Sequence, residues 1–65
     1  MEEIKQEPIL KFFAYEHLPE HLREVSKQFA TAAHWVADNL PASAERTVAL
    51  RKLLEGKDAA VRARL

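Results

Sequence analysis

The stretch NLPAS at residues 39–43 separates two segments that each have the composition and periodicity of an α-helix. Pro41 disfavours a helical conformation in the residue before it, so a helix that reaches this point must end. Ser43 is a good N-cap for a helix that follows. Because so short a connection leaves two helices side by side and antiparallel, the break predicts a helical hairpin.

Both flanking segments favour helices. Pro19 suits the first position of a helix, since its missing N–H would be unpaired there. Apolar residues then recur every three or four positions, at Leu22, Val25, Phe29, Ala33, Val36 and Leu40. Residues 44–64 are rich in Ala, Leu, Arg, Lys and Glu, which are strong helix formers. We therefore predict an all-α fold with helices at about residues 19–40 and 44–64.

Residues 1–14 form an N-terminal arm in this interpretation, and residues 15–65 form the hairpin. The arm begins with polar residues, but the stretch PILKFFAY that spans its end is dense in large apolar side chains, at Ile9, Leu10, Phe12, Phe13 and Tyr15. Such density predicts that the arm docks on the hairpin and is not a free tail.

The short length predicts assembly. A domain below roughly 70–80 residues rarely gains more than about 3–5 kcal/mol from its core, and this chain has 65 residues. It contains no cysteine, which excludes disulfides and thiolate metal sites and fits a reducing compartment such as the bacterial cytoplasm. A homo-oligomer is the remaining common route to stability. No apolar run could span a membrane, and the acidic start MEEIKQEP lacks a signal-peptide core, so we expect a soluble, unexported protein.

Charge is balanced overall but not along the chain. The formal net charge is zero, which argues against recruitment to nucleic acid or membranes by bulk charge. Residues 1–24 carry six glutamates and three basic residues, whereas residues 45–65 carry six basic and three acidic residues. A local anion site in the second half is therefore compatible with a neutral chain.

Each predicted helix has more apolar faces than a hairpin needs. The first has a row of small residues beside its large apolar row, at Ser26, Ala30, Ala33 and Ala37. The second has a narrow small-residue face, at Ala49, Gly56, Ala60 and Ala63. Gly56 costs about 1 kcal/mol relative to alanine in a helix interior, which suggests the close approach of another backbone. We expect helices of other subunits to cover these surplus faces.

Basic residues border these faces. Lys57 lies inside an apolar sector, where its cation must either reach water or meet an anion. Arg46 and Arg64 share its side of the second helix, and Arg23, Lys27 and His34 border the small-residue row of the first. Cations beside a helix contact suit a small phosphate ligand, and an aromatic ring such as that of Tyr15 suits stacking on its base.

Other charged pairs have a structural explanation. Arg51 and Glu55 are spaced i,i+4 on the outer face, as are Asp58 and Arg62. Each pair can be explained as a solvent-exposed ion pair worth a few tenths of a kcal/mol, and we favour that explanation for Arg51.

Signals for catalysis, metal binding and DNA recognition are weak. His17 and His21 have an i,i+4 spacing, but Pro19 lies between them and no HExxH motif exists. The sequence has no glycine-rich phosphate loop. A helix-turn-helix DNA-binding protein needs a third helix and a recognition helix with clear base-reading residues, and neither is evident in the sequence. We therefore expect no enzymatic activity, no cofactor, no metal and no duplex nucleic acid.

The sequence resembles one known family in the segment AYEHL, in the amphipathic helix after it, and in the later stretches ER and ALRKLLEGKDAAVRA. This family is the helical-hairpin domain of phage anti-CBASS and anti-Thoeris sponge proteins, and the resemblance covers about residues 14–64. Tyr15 and Leu18 before the first helix and Arg46 at the start of the second are among its most specific matches. Leu53, Gly56 and Arg62-Ala63 complete them.

The resemblance implies a small helical protein that assembles into compact hexamers in the bacterial host cytoplasm. Such proteins sequester cyclic oligonucleotide second messengers without cleaving them, which blocks a nucleotide-activated antiphage defence. The resemblance further implies that Tyr15 stacks on a purine, that Lys27 contacts phosphate between protomers, and that Arg62 belongs to a separate site for cyclic trinucleotides near a threefold axis. Our candidate ligand-binding residues are thus Tyr15, Lys27, Arg62, Arg46 and Lys57.

Two other functions remain open. One is a helical interaction module that oligomerises and presents its surface to a protein partner, in which Tyr15 only anchors the arm. The other is a small DNA-binding regulator, which would show a steep dependence of affinity on salt. The sequence alone does not rank adenine against guanine ligands, and it leaves open whether one or two classes of binding site are present.

Overall fold

The computed structural model describes residues 7–65, and all its regular structure is helical. A short 3-10 helix, the arm helix, spans Pro8–Phe13, α1 spans Glu20–Asn39 and α2 spans Ala44–Arg64. The predicted all-α fold is confirmed, and both long helices begin and end within one residue of the predicted bounds. Residues 1–6 of the predicted arm lie outside the described residues.

Proline residues define both ends of α1. We predicted that Pro19 is the first residue of the helix, but it is the residue immediately before it, because its ψ of 155° is extended. Its carbonyl accepts the N–H groups of Leu22 and Arg23 at 2.9 and 2.8 Å, which starts the helical hydrogen bonding. At the other end Leu40 is extended, as expected for a residue before proline.

Ser43 caps α2 as the sequence predicted. Its Oγ accepts the backbone N–H of Arg46 at 3.1 Å, and its carbonyl accepts that of Thr47 at 3.1 Å. Side-chain acceptors at this position pair backbone N–H groups that the helix itself leaves unpaired. The cap therefore fixes the start of α2, with four residues between the end of α1 and the start of α2.

Side chains of α2 contact α1 at both ends, which shows that the helices are antiparallel. Near the start of α2, the Nη1 of Arg46 donates to the carbonyls of Ala37 and Leu40. Near its end, the Nη1 of Arg64 lies 2.6 Å from Oε1 of Glu24 in the first turns of α1. The predicted hairpin is thus confirmed.

The arm supplies much of the core. Leu10 and Phe13 of the arm helix are buried in one cluster with Ala30 and Ala33 of α1 and Leu50 of α2. We expected the small-residue row of α1 to face another subunit, but Ser26, Ala30 and Ala33 are buried within the chain and Ala37 is partly buried there. That expectation was wrong because the arm needs a shallow surface to dock, and small side chains provide one.

Gly56 also has its close neighbour within the chain. A Cβ atom at this position would lie 3.3 Å from Cε1 of Phe29, which is tighter than ordinary van der Waals contact. The close approach that we predicted is therefore real, but the neighbour is an aromatic ring of α1 and not the backbone of another subunit.

Several large apolar side chains remain exposed on this small molecule. The exposed fraction is 58% for Trp35 and 55% for Phe12, and Leu40, Val48 and Leu65 are also exposed. None of the helices in residues 7–65 combines the length and apolar character that crossing a membrane requires.

Candidate functional site

Tyr15 and Lys27 line the same open cleft, which has a volume of about 840 Å³ and which we call the α1 cleft. The other lining residues all belong to the first turns of α1: Glu20, His21, Arg23, Glu24 and Gln28. Ligand clefts in proteins are commonly about 300–1,000 Å³, so this one has room for a nucleotide-sized molecule. Two residues that the sequence analysis selected for different reasons are thus brought together.

Helical spacing arranges the charges of the α1 cleft. Arg23 and Lys27 are four residues apart and share a face, and so are Glu20 and Glu24. Arg64 of α2 reaches across to Glu24 at 2.6 Å and neutralises it. With Arg64, which does not line the cleft but pairs with one of its carboxylates, three cations stand against two carboxylates, which leaves the cleft able to accept an anion.

Tyr15 is held in place while it lines the cleft. It is half-buried and packs against the core cluster of the arm and hairpin. Its carbonyl accepts the N–H of Leu18 at 3.1 Å, which closes the turn between the arm and α1. A ring with little freedom loses little entropy when a base stacks on it.

Lys57 and Arg62 line a second cleft of about 360 Å³ between the arm and α2, which we call the arm cleft. The arm contributes Lys11 and Phe12, and the turn contributes His17. The Nζ of Lys11 lies 5.3 Å from the centroid of the Phe12 ring, within cation–π range. Lys11 and His17 could not be selected from the sequence, because their placement beside α2 depends on where the arm docks.

Lys57 meets an anion, one of the two outcomes predicted for it. Its side chain is 15% exposed, and its Nζ lies 3.2 Å from Oδ1 of Asp58. The predicted pair of Asp58 with Arg62 is therefore replaced by a pair with Lys57. Likewise Glu55 contacts Lys52 at 3.7 Å and not Arg51. Among residues 7–65, Arg62 has no ion-pair partner.

Arg46 lines neither cleft. Its Nε and Nη2 donate to Oε2 of Glu7 at 3.1 and 2.6 Å, and its Nη1 donates to the carbonyls of Ala37 and Leu40 at 3.0 and 2.9 Å. The side chain is 10% exposed. The structure therefore places Arg46, which we selected as a ligand contact, at the junction of the arm, α1 and α2.

Comparisons with protein-family models, curated proteins and solved structures found no significant match. Within residues 7–65, no group of three or more His, Asp or Glu side chains is arranged to hold a metal ion.

Proposed function

We propose that this protein is a non-enzymatic sponge for cyclic oligonucleotide second messengers, acting in the cytoplasm of an infected bacterium. It binds cyclic dinucleotides, and in a second site cyclic trinucleotides, and keeps them from the defence effectors that they activate. Sequestration works by mass action, so it needs tight binding and abundant protein and no turnover. The sequence resemblance to phage sponge proteins motivates this proposal.

The observation that carries the proposal is the shared cleft of Tyr15 and Lys27. A cyclic dinucleotide presents flat bases and two phosphates, which require an aromatic surface and cations at short range. Tyr15 offers the surface, and Lys27 with Arg23 offers the cations. Charge-assisted hydrogen bonds to phosphate and base–aromatic stacking are both strong terms in such binding.

The arm cleft supports a second class of site. Lys11, Lys57 and Arg62 converge there beside the exposed ring of Phe12, and the one acidic lining residue is Asp58. In the proposal, Arg62 is the main phosphate contact, because Lys57 is already paired with Asp58. Arg46 belongs to the fold and not to the ligand contacts.

Assembly of six copies is part of the proposal. The small-residue row and Gly56 do not support assembly, because contacts within the chain cover both of them. What supports it is the small core and the exposure of Trp35 and Val48 on the two helices. Both clefts are open, so a neighbouring copy could complete each of them around a ligand.

Calorimetry with a panel of cyclic di- and trinucleotides tests the proposal. We expect at least one member to bind and to raise the melting temperature. Because Tyr15 also packs in the core, the informative variants are Tyr15→Phe, which keeps a stacking ring, and Tyr15→Leu, which keeps only apolar bulk. Stacking on a base is worth about 1–3 kcal/mol, so Tyr15→Leu should lose at least about fivefold in affinity relative to Tyr15→Phe. Absence of binding across the panel would refute the proposal.

The packing of Tyr15 against the core favours one alternative, an oligomeric helical interaction module with no nucleotide ligand. In that case both Tyr15 variants should change stability or assembly, and neither wild type nor variant should bind a nucleotide. Lys27→Met separates the two functions further, because Lys27 is exposed and its loss should leave the fold unchanged. The sponge loses affinity with this variant, whereas the interaction module is unaffected.

A further inference from the structure

The guanidinium group of Arg46 is used up by contacts within the chain. One edge faces Glu7 of the arm, and Nη1 holds two carbonyls at the end of α1. Carbonyls in the last turn of a helix lack helical partners, so these two bonds also stabilise the end of α1. A single side chain of α2 thus joins all three helical elements of the structure.

Glu7 is the residue at which the described arm begins. Its carbonyl accepts the N–H of Leu10 at 3.1 Å, which starts the arm helix that Pro8 opens. The arm then passes through buried Leu10 and Phe13 and leads, through Ala14, directly to Tyr15. The arm therefore forms one continuous piece that Arg46 holds at one end and that ends at the ring lining the α1 cleft.

We propose that Arg46 is a positioning residue, which by pairing with Glu7 latches the arm onto the hairpin and so keeps Tyr15 at the α1 cleft. Both side chains are largely buried, with 10% and 18% of their surface exposed, so solvent screens this pair less than a surface pair. Without the pair, Leu10 and Phe13 still attach the arm, so the arm opens more often while the hairpin stays folded. The consequence for the ligand rests on the proposed function, but the latch itself does not.

Hydrogen exchange of backbone amides measures the latch directly. The variants are Glu7→Gln and Arg46→Met, and the matched controls are Glu45→Gln and Arg51→Met, exposed residues of α2. Losing hydrogen bonds between charged groups should shift the equilibrium between docked and open arm more than tenfold towards the open state. We therefore expect the backbone amides of Leu10 and Ala14 to exchange at least about tenfold faster. Exchange at Ala33 in the middle of α1 should not change in Glu7→Gln. If the arm amides of Glu7→Gln exchange at the same rate as those of wild type, the proposal is overturned.

A double-mutant cycle measures the effect on Tyr15. Only the closed arm holds Tyr15 at the α1 cleft, so Glu7→Gln should weaken cyclic-nucleotide binding by the same factor by which amide exchange shows the closed fraction to fall, about tenfold where the arm becomes mostly open, and should have no further effect in Tyr15→Leu. An opened arm with unchanged nucleotide affinity would overturn the positioning role. If wild type binds no nucleotide, the proposed function fails, and amide exchange still decides the latch. If Arg46→Met does not fold because α1 loses its carbonyl contacts, Glu7→Gln alone decides it.

Discussion

At the scale of single residues, Gly56 shows what a helical pattern does and does not contain. The cost of glycine in a helix interior correctly predicted a close neighbour at this position. The neighbour is the ring of Phe29, 3.3 Å from where a Cβ would lie. Residue spacing within one helix defines its faces but not the rotation of that helix against another. The partner of Gly56 therefore could not be predicted.

Two serines of this chain should respond in opposite directions to the same substitution. Ser26 in α1 is fully buried, and its Oγ has no hydrogen-bond partner among residues 7–65, whereas the Oγ of Ser43 caps α2. Removing a buried unsatisfied hydroxyl and gaining helix propensity should stabilise Ser26→Ala by about 1 kcal/mol. Losing the cap should destabilise Ser43→Ala by about 1 kcal/mol.

Chemical denaturation monitored by circular dichroism compares both variants with wild type. Each serves as the control for the other, because the chemical change is identical. A loss of stability in Ser26→Ala would show that the hydroxyl has a partner after all.

At the scale of elements, the two long helices were predictable and the docking of the arm was not. The local signals are the apolar spacing of three and four residues, Pro19 and Ser43. The bounds predicted from them agree with the observed helices to within one residue. The density of apolar residues in the arm correctly predicted that it docks. It could not show that Leu10 and Phe13 face inward while Phe12 faces out, because a short 3-10 helix has no long repeat to read. The arm cleft was missed for the same reason.

Adjacent phenylalanines in the arm test its contribution to stability. Phe13 is 1% exposed in the core, and Phe12 is more than half exposed. Replacing a buried phenylalanine by alanine costs about 3–5 kcal/mol of stability, so Phe13→Ala should destabilise the hairpin severely. Phe12→Ala should cost less than about 1 kcal/mol. Thermal unfolding of the two variants gives the comparison, and equal losses would contradict the docked position of the arm helix.

At the scale of the whole molecule, the α1 cleft and the arm cleft are each lined by residues of one long helix and of the segment before α1. Tyr15 lies between the core and the α1 cleft, and the arm helps to build the arm cleft. Lys27 could be selected from the sequence because it borders the small-residue row of α1, whereas Arg62 was selected only through the resemblance to phage sponge proteins. Their division between two clefts could not, because it depends on the path of the arm across the hairpin.

The exposed apolar side chains lead to a prediction about assembly. Trp35 is the sole tryptophan of the chain and is 58% exposed, so its emission reports directly on whether a second copy covers it. If the protein assembles as proposed, dilution should shift Trp35 emission to longer wavelength over the same range of protein concentration in which native mass spectrometry shows dissociation.

Substitution of Trp35 tests the same interface. Buried tryptophans at interfaces commonly contribute 2 kcal/mol or more, so the Trp35→Ser assembly should dissociate at a protein concentration about thirtyfold higher than wild type, or more. Leu65→Ser, at the exposed chain end, is the control and should not change it. A wild-type protein that remains monomeric at high concentration would contradict the proposed assembly, and the clefts would then have to bind their ligands within one copy.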